Sequence, residues 1–393
     1  MARPLRIAQI HWGFPPIIGG VETHLTLLLP EMVKRQHTVH LLTGSVEGVP
    51  ERQMYEGVAV FRTPLLDLNW LYKRGLDGLE EEIDRLFRTF FDELEPDVVH
   101  AHNMHYFSEQ HASILEQEVR RRGVPLLLTV HNTWDDIQFL RLTRDIDWTH
   151  FIAVSHYIKM ELMSVGVDDQ RITTVHHGID VDRFFPGASP ESILQRHPQL
   201  VGKPVVLHPA RIGMAKGCDV TIKAMRVVRE RIPNVMFVLT GTRNTIDWGL
   251  TQERDVAYFL ELIRLLGLRD NVVLDIFALD DMPGLYSAAQ VIVYPSSQPE
   301  PFGLATLEAL ASGKPIIVTR IGGMPEIIHE AIDGYIVPTR DFEELAARTI
   351  DLLEDERLRR RLGATGRETA RVHYTKEMMA DRNLEIYRQV LSR

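Results

Sequence analysis

Residues 300–315 read Glu300-Pro301-Phe302-Gly303-Leu304-Ala305-Thr306-Leu307-Glu308-Ala309-Leu310-Ala311-Ser312-Gly313-Lys314-Pro315. Two carboxylates, Glu300 and Glu308, flank a glycine-containing turn that opens into an apolar stretch. From Leu304 onward, Leu307, Leu310 and Ala311 recur at helical spacing, and Gly313-Lys314-Pro315 is the stop. Glu300 therefore falls in the loop before a helix. Glu308 falls about one turn inside it, roughly 6 Å along the axis from Leu304. Carboxylates accept hydrogen bonds from sugar hydroxyls. Backbone N–H groups at the helix start, around Gly303, Leu304 and Ala305, suit an anion. The pattern fits a ligand bearing both hydroxyls and phosphates. In isolation it would fit equally well a helix start whose acidic residue favours the dipole, so the surrounding sequence has to decide.

Moving outward, short apolar runs alternate with helical stretches along the whole chain. The runs are 7–10, 39–42, 98–100, 126–130, 151–154 and 173–175, then 205–207, 236–239, 272–274, 291–294 and 316–318. Segments such as 79–94 and 114–122 carry helical periodicity. Alternation of this kind predicts parallel sheets with crossover helices, an α/β class. A turn-rich stretch near 181–203 separates two similar halves. Each half would place a crevice at the carboxyl ends of its strands. The last segment, 376–391, reads as an amphipathic helix.

At 393 residues the chain has room for two cores. Its net charge of −10 argues against a nucleic-acid partner. One cysteine, Cys218, excludes an intrachain disulfide and fits a reducing cytoplasm. The chain runs from Met1–Arg6 straight into a strand, so no leader is expected. No apolar run approaches the roughly 18 residues of a membrane span, which leaves peripheral membrane contact open.

Arg211 and Lys216 lie between the strand 205–207 and the helix that begins near Asp219, where an anion site forms. Arg211 offers planar bidentate donors and Lys216 a compact charge, so the pair can neutralise a diphosphate. After the first strand, Gly19-Gly20-Val21-Glu22-Thr23-His24 forms a turn whose glycines can approach a ligand closely. It lacks the spacing of a dinucleotide cofactor site. His100, His102 and His105, with His131, sit at strand ends. His100 and His102 could share a face, but no Cys, Asp or Glu completes a close set, so no metal site is expected. The triplets Asp145-Ile146-Asp147 and Asp180-Val181-Asp182 read as turn or cap residues rather than metal ligands. Phe277 is either a core residue or a base-stacking one. Residues 65–72 are either an apolar lip or a loop packed on its own domain.

The succession Tyr294-Pro295-Ser296, Glu300-x7-Glu308, 311–315, Gly322-Gly323-Met324-Pro325-Glu326 and 333–338 resembles glycosyltransferase family 4 (glycosyl transferases group 1). These are retaining enzymes of the GT-B type. The resemblance implies an α/β GT-B architecture, two Rossmann-like domains facing a central cleft. It implies an acceptor-side domain over 1–185, a nucleotide-sugar domain over 186–375, and a helix over 376–393 crossing back to the first. It gives Glu300 the donor-sugar hydroxyls and Glu308 the nucleotide ribose. Arg211 and Lys216 take the diphosphate, together with Phe302, Gly303, Leu304, Ala305, Gly19 and Gly20. His131 lies near the donor sugar and belongs with Arg211, Lys216 and Glu300 in the catalytic set. His102, Glu22 and His24 face the acceptor side. The implied reaction moves a sugar from a UDP- or GDP-sugar to an acceptor hydroxyl by front-face substitution, without metal or cofactor beyond the co-substrate. The acceptor is a small molecule, a glycan or a lipid-linked acceptor. An epimerase, a phosphorylase or a sugar-nucleotide-binding pseudoenzyme shares the same scaffold and stays open. Four positions depart from the family: Ala210 and Ile276 where glycine is usual, and His176-His177 where Pro-Asn is usual. The Ile276 departure leaves the nucleobase undecided.

Overall fold

The computed structural model describes residues 3–134, 136–241 and 249–392. The chain divides into two compact units. One comprises Met1–Gly178 with Lys376–Arg393, the other Ile179–Thr375. Each is a sheet with helices on its faces, and the expected pair of Rossmann-like domains is present.

The first unit carries eight strands: β1 (Arg6–Ile10), β2 (Thr38–Gly44), β3 (Arg52–Tyr55), β4 (Val58–Thr63), β5 (Val98–His102), β6 (Leu126–Val130), β7 (His150–Ala153) and β8 (Ile172–Thr174). Their order is β3-β4-β2-β1-β5-β6-β7-β8, parallel except for the β3–β4 hairpin. That hairpin turns at Glu56 and Gly57, with φ of 44° and 85°, the left-handed pair that a two-residue turn requires. Strands β5 and β6 are buried along their whole length. Covered on both faces, they read as continuous apolar runs instead of alternating ones. The helix Lys376–Leu391 joins this unit. Its Met379, Leu384, Ile386 and Tyr387 share a core with Leu25, Leu28, Leu29 and Met32 of the helix Gly20–Lys34. Residues 65–72 form a short turn and the start of the helix Leu68–Arg74, with Leu66 and Leu71 buried and Tyr72 exposed.

The second unit is a six-stranded parallel sheet: β9 (Val205–His208), β10 (Met236–Gly241), β11 (Val272–Ile276), β12 (Val291–Tyr294), β13 (Ile316–Thr319) and β14 (Gly334–Val337). The order is β11-β10-β9-β12-β13-β14. Strands β9 and β12 are neighbours, with Val291 opposite Val206 and Ile292 opposite Leu207. From β9 the sheet grows outward to β10 and β11, and from β12 the other way to β13 and β14. Their following connections thus leave toward opposite sides and open a crevice at their carboxyl ends. In the first unit the same reversal falls between β1 and β5. Phe277 is buried beside His197, a core residue. Asp180 caps its own turn, accepting from the N–H groups of Asp182 and Arg183 at 3.0 Å each. Among the described residues no helix is long and apolar enough to cross a membrane.

Leu384 is 1% exposed in the first unit's core. Leu384→Ala is expected to lower the unfolding free energy by about 2–5 kcal/mol through lost burial and a residual cavity. Urea denaturation measures this, and a change under about 1 kcal/mol would mean the helix is peripheral to the core.

Candidate functional site

In the second unit, the expected residues converge where β9 and β12 end side by side. Lys216 closes a single turn, Met214–Lys216, before the helix Cys218–Arg231. The loop after β12 is tied to this turn: the N–H groups of Ser297 and Gln298 both donate to the Ala215 carbonyl, at 2.9 and 3.2 Å. Gly217 stands at φ 74°, and a Cβ there would collide with the Pro295 carbonyl. Only glycine allows the two loops this approach. On the other side, Gly323 N–H donates to the Glu300 carbonyl at 2.8 Å. Gly322, at φ 61°, has no room for a Cβ against the Glu300 backbone. The segment from Pro295 to Glu300 is therefore held between the loops after β9 and β13.

The side chains then meet. Lys216 Nζ lies 2.5 Å from Glu300 Oε2, and the Tyr294 hydroxyl donates to the same oxygen at 2.9 Å. The ammonium also lies over the Tyr294 ring, 6.0 Å from its centroid, a cation–π arrangement. Burial, reinforced by Glu300, pushes the Tyr294 hydroxyl well above the usual phenol range, and the Arg211 charge opposes it. Arg211 thus acts on the same cluster while its side chain is exposed. Beneath it His208 is fully buried and pushed down to about 3, first by burial and then by Lys216.

The helix Leu304–Ala311 begins after Gly303, which is at φ 92°. Its first turn leaves N–H groups without intrahelical carbonyl partners. Leu304 and Ala305 are half-buried there. The Phe302 ring is instead 2% exposed and turned inward, so a ligand at this turn meets Phe302 through its backbone. Glu308 is half-buried, and the Tyr286 hydroxyl lies 2.8 Å from its Oε2. Burial pushes the Glu308 carboxyl above the usual range, while Tyr286 and the Arg183 charge draw it part of the way back. Tyr286 was not singled out in sequence, and Tyr294 entered only as part of the motif Tyr294-Pro295-Ser296, without a role of its own.

In the first unit the loop after β1 leads into the helix Gly20–Lys34. A Cβ at Gly13 or Gly19 would collide with the Glu22 carboxylate. The absent side chains at those two positions make room for Glu22, which is buried with Oε1 3.3 Å from His11 Nε2. Glu22 is therefore packed against its own loop, its carboxylate lying where side chains at Gly13 and Gly19 would otherwise be. Gly20 has open space around it.

His24, His102 and His131 are all buried. They bring one ring nitrogen each within 4.8 Å of one another. No cysteine or carboxylate belongs to this set; sequence reading did not bring His24 to His102 and His131, and the helix Gly20–Lys34 delivers it. Three imidazoles are a donor set that zinc uses. Here two of the nitrogens are committed to each other, His102 Nδ1 to His131 Nε2 at 2.9 Å. His24 Nδ1 lies 2.8 Å from His177 Nδ1. His131 N–H donates to Asn103 Oδ1 at 2.8 Å, which sets the backbone at the end of β6.

Known proteins share this organisation. The family profile described as "Glycosyl transferases group 1" matches residues 191–369, and that described as "Glycosyltransferase Family 4" matches residues 18–183. The D-inositol 3-phosphate glycosyltransferase of Salinispora arenicola is 32% identical, over 99% of this chain and 93% of its own. Among solved structures, a glycosyltransferase from Rickettsia africae superposes with a TM-score of 0.84 at 21% identity, covering 99% of both chains. Alr3699/HepE from Anabaena, solved with UDP-glucose, gives 0.76 at 18% identity over 98% of this chain and 100% of the other.

The buried histidines make stability depend on pH. Burial pushes His24 and His100 down to about 3. Burial, with neighbouring imidazoles adding, holds His102, His131 and His177 well below the usual range. Unfolding returns each to about 6.5, so below that pH the unfolded chain binds protons the native one does not. Stability is therefore present above pH 6.5 and is lost as pH falls. Urea unfolding between pH 7 and 5 should show a loss steeper than about 1.4 kcal/mol per pH unit below 6.5, more than one proton's worth. A flat profile would contradict the neutral cluster.

Proposed function

The chain belongs to the glycosyl transferases group 1 family and is a glycosyltransferase, and from that premise we propose that it retains anomeric configuration and needs no metal. It moves a sugar from a nucleotide-diphosphate sugar to an acceptor hydroxyl. The observation that carries this is the Lys216–Glu300–Tyr294 cluster beside the start of the helix Leu304–Ala311. It combines a cation, a hydroxyl-accepting carboxylate and helix-start N–H groups at one sheet crevice, which is the chemistry a sugar diphosphate needs.

Lys216 and Arg211 neutralise the diphosphate and the charge that develops on it as it leaves. The N–H groups around Gly303, Leu304 and Ala305 hold the same anion. Glu300 accepts from donor-sugar hydroxyls and Glu308 from the ribose, each oriented by a tyrosine hydroxyl. In the first unit, His131 is assigned to the donor sugar and Gly20 to the phosphates, with His24 and His102 on the acceptor side. No protein nucleophile enters this scheme. The departing phosphate helps take the acceptor proton on the same face, and the protein supplies position and charge. The UDP-glucose of the Anabaena protein makes UDP-sugars the first donors to try, with GDP-sugars next. Acceptors are small molecules, glycans or lipid-linked acceptors. The lone buried Cys218 fits a reducing compartment, and the cytoplasm is the proposed location.

Two measurements test this. UDP- and GDP-sugars are incubated with acceptor extracts in the presence of a chelator, and the product anomer is read by NMR. Transfer with the donor's own configuration is expected. Inversion, or activity that only added magnesium or manganese restores, would refute retention or metal independence respectively. Lys216→Ala should then lower kcat by more than about tenfold, the scale of a lost transition-state contact of about 3 kcal/mol. Near-normal turnover in a folded variant would remove Lys216 from the phosphate site.

A further inference from the structure

His131 is the end of a chain of side-chain hydrogen bonds that crosses β6, β5 and β1 and reaches the C-terminal helix. Its Nε2 lies 2.9 Å from His102 Nδ1. His102 Nε2 lies 2.8 Å from Gln9 Oε1. Gln9 Nε2 donates to the Tyr387 hydroxyl at 3.1 Å. That hydroxyl lies 2.6 Å from His100 Nδ1, and His100 Nε2 lies 2.6 Å from Thr129 Oγ1. All six residues are buried.

The chain has a direction. An amide oxygen only accepts, so His102 donates from Nε2. A neutral imidazole has one N–H, so His102 Nδ1 must accept and His131 must donate from Nε2. His131 Nδ1 is then a bare lone pair, and it is buried without a hydrogen-bond partner among the described residues. Burial and the surrounding imidazoles keep both rings neutral near pH 7. The opposite tautomer would leave a buried N–H unpaired and would present a donor, suited to a phosphate or carboxylate oxygen.

We propose that Gln9 and Tyr387 are positioning residues which, through His102, hold His131 as the Nε2–H tautomer and present Nδ1 as an acceptor for a substrate hydroxyl. The relay would thereby favour a hydroxyl over an anionic oxygen at His131. It rests on the assignment of His131 as a sugar-contacting residue. Neither Gln9 nor Tyr387 touches substrate, and both act through other side chains.

The test uses the full-length protein with 15N-labelled histidine. Long-range proton–nitrogen NMR of the unliganded protein, assigned against His131→Gln, reports which His131 nitrogen carries the proton. An Nε2–H tautomer is expected in the unmodified protein and in Gln9→Glu, which keeps an acceptor for His102. Mixed tautomers are expected in Gln9→Leu and in Tyr387→Phe, the latter removing a single hydroxyl atom and so protecting the test against misfolding. For Gln9→Leu, kcat/KM should fall about tenfold, the weight of one hydrogen bond, with Gln9→Glu largely restoring it. An Nδ1–H proton in the unmodified protein overturns the proposal, as do unchanged tautomer and turnover in both disrupting variants. Full activity of His131→Gln would overturn the sugar contact itself, while the tautomer result stands apart from it. The two failures are thus distinguishable.

Discussion

Each unit depends on one topological constraint: two parallel strands lie side by side while the chain winds away from them in opposite directions. In the second unit these are β9 and β12. A crossover normally covers the carboxyl end of its strand. Where the direction reverses, neither crossover covers the shared end, and a crevice is left. The loops after these strands carry Lys216 and Glu300, so residues 84 positions apart in sequence form an ion pair. The β1–β5 reversal does the same for the first unit, where the loop to Gly19 and Gly20 follows one strand and His102 ends the other.

The crevice alone would not set a site to within hydrogen-bond distance. Missing side chains do that. Gly217 lets its loop touch the Pro295 carbonyl, and Gly322 lets another clamp the Glu300 backbone. Gly13 and Gly19 open the space that Glu22 fills. Glycines that look in sequence like surfaces for a ligand are thus partly surfaces for the protein's own chain. Tyrosines supply the orientation, Tyr294 for Glu300 and Tyr286 for Glu308. Buried polar side chains of this kind are costly unless paired, so they fix geometry as well as chemistry.

Most strands were legible as apolar runs because sheets covered on both faces need continuous burial. The β3–β4 hairpin was not, because its edge strand Arg52–Tyr55 is half exposed and mixed in character. Strand β14 was hidden inside a stretch that stood out for other reasons. The helices Leu304–Ala311 and Lys376–Leu391 carried clear periodicity and stop signals. Among site residues, Arg211 and Lys216 stood out through charge after a strand, and Glu300 and Glu308 through their spacing around a helix start. Gln9, Tyr286 and Tyr387 did not, since a single polar atom on a buried strand or helix face leaves no periodic trace. The histidine set of His24, His102 and His131 escaped because its members come from a helix, a strand and the loop after another strand.

The sequence by itself determined the α/β class, the two-unit division, the motif-bearing loops and the family, because burial periodicity and turn chemistry are local properties. Only tertiary structure decided which side chains meet: Lys216 with Glu300, Tyr286 with Glu308, and His131 with a relay ending on the C-terminal helix. Those encounters follow from strand order and from the close approach of loops at glycine. Neither is encoded by any one segment, because each depends on where another segment already lies.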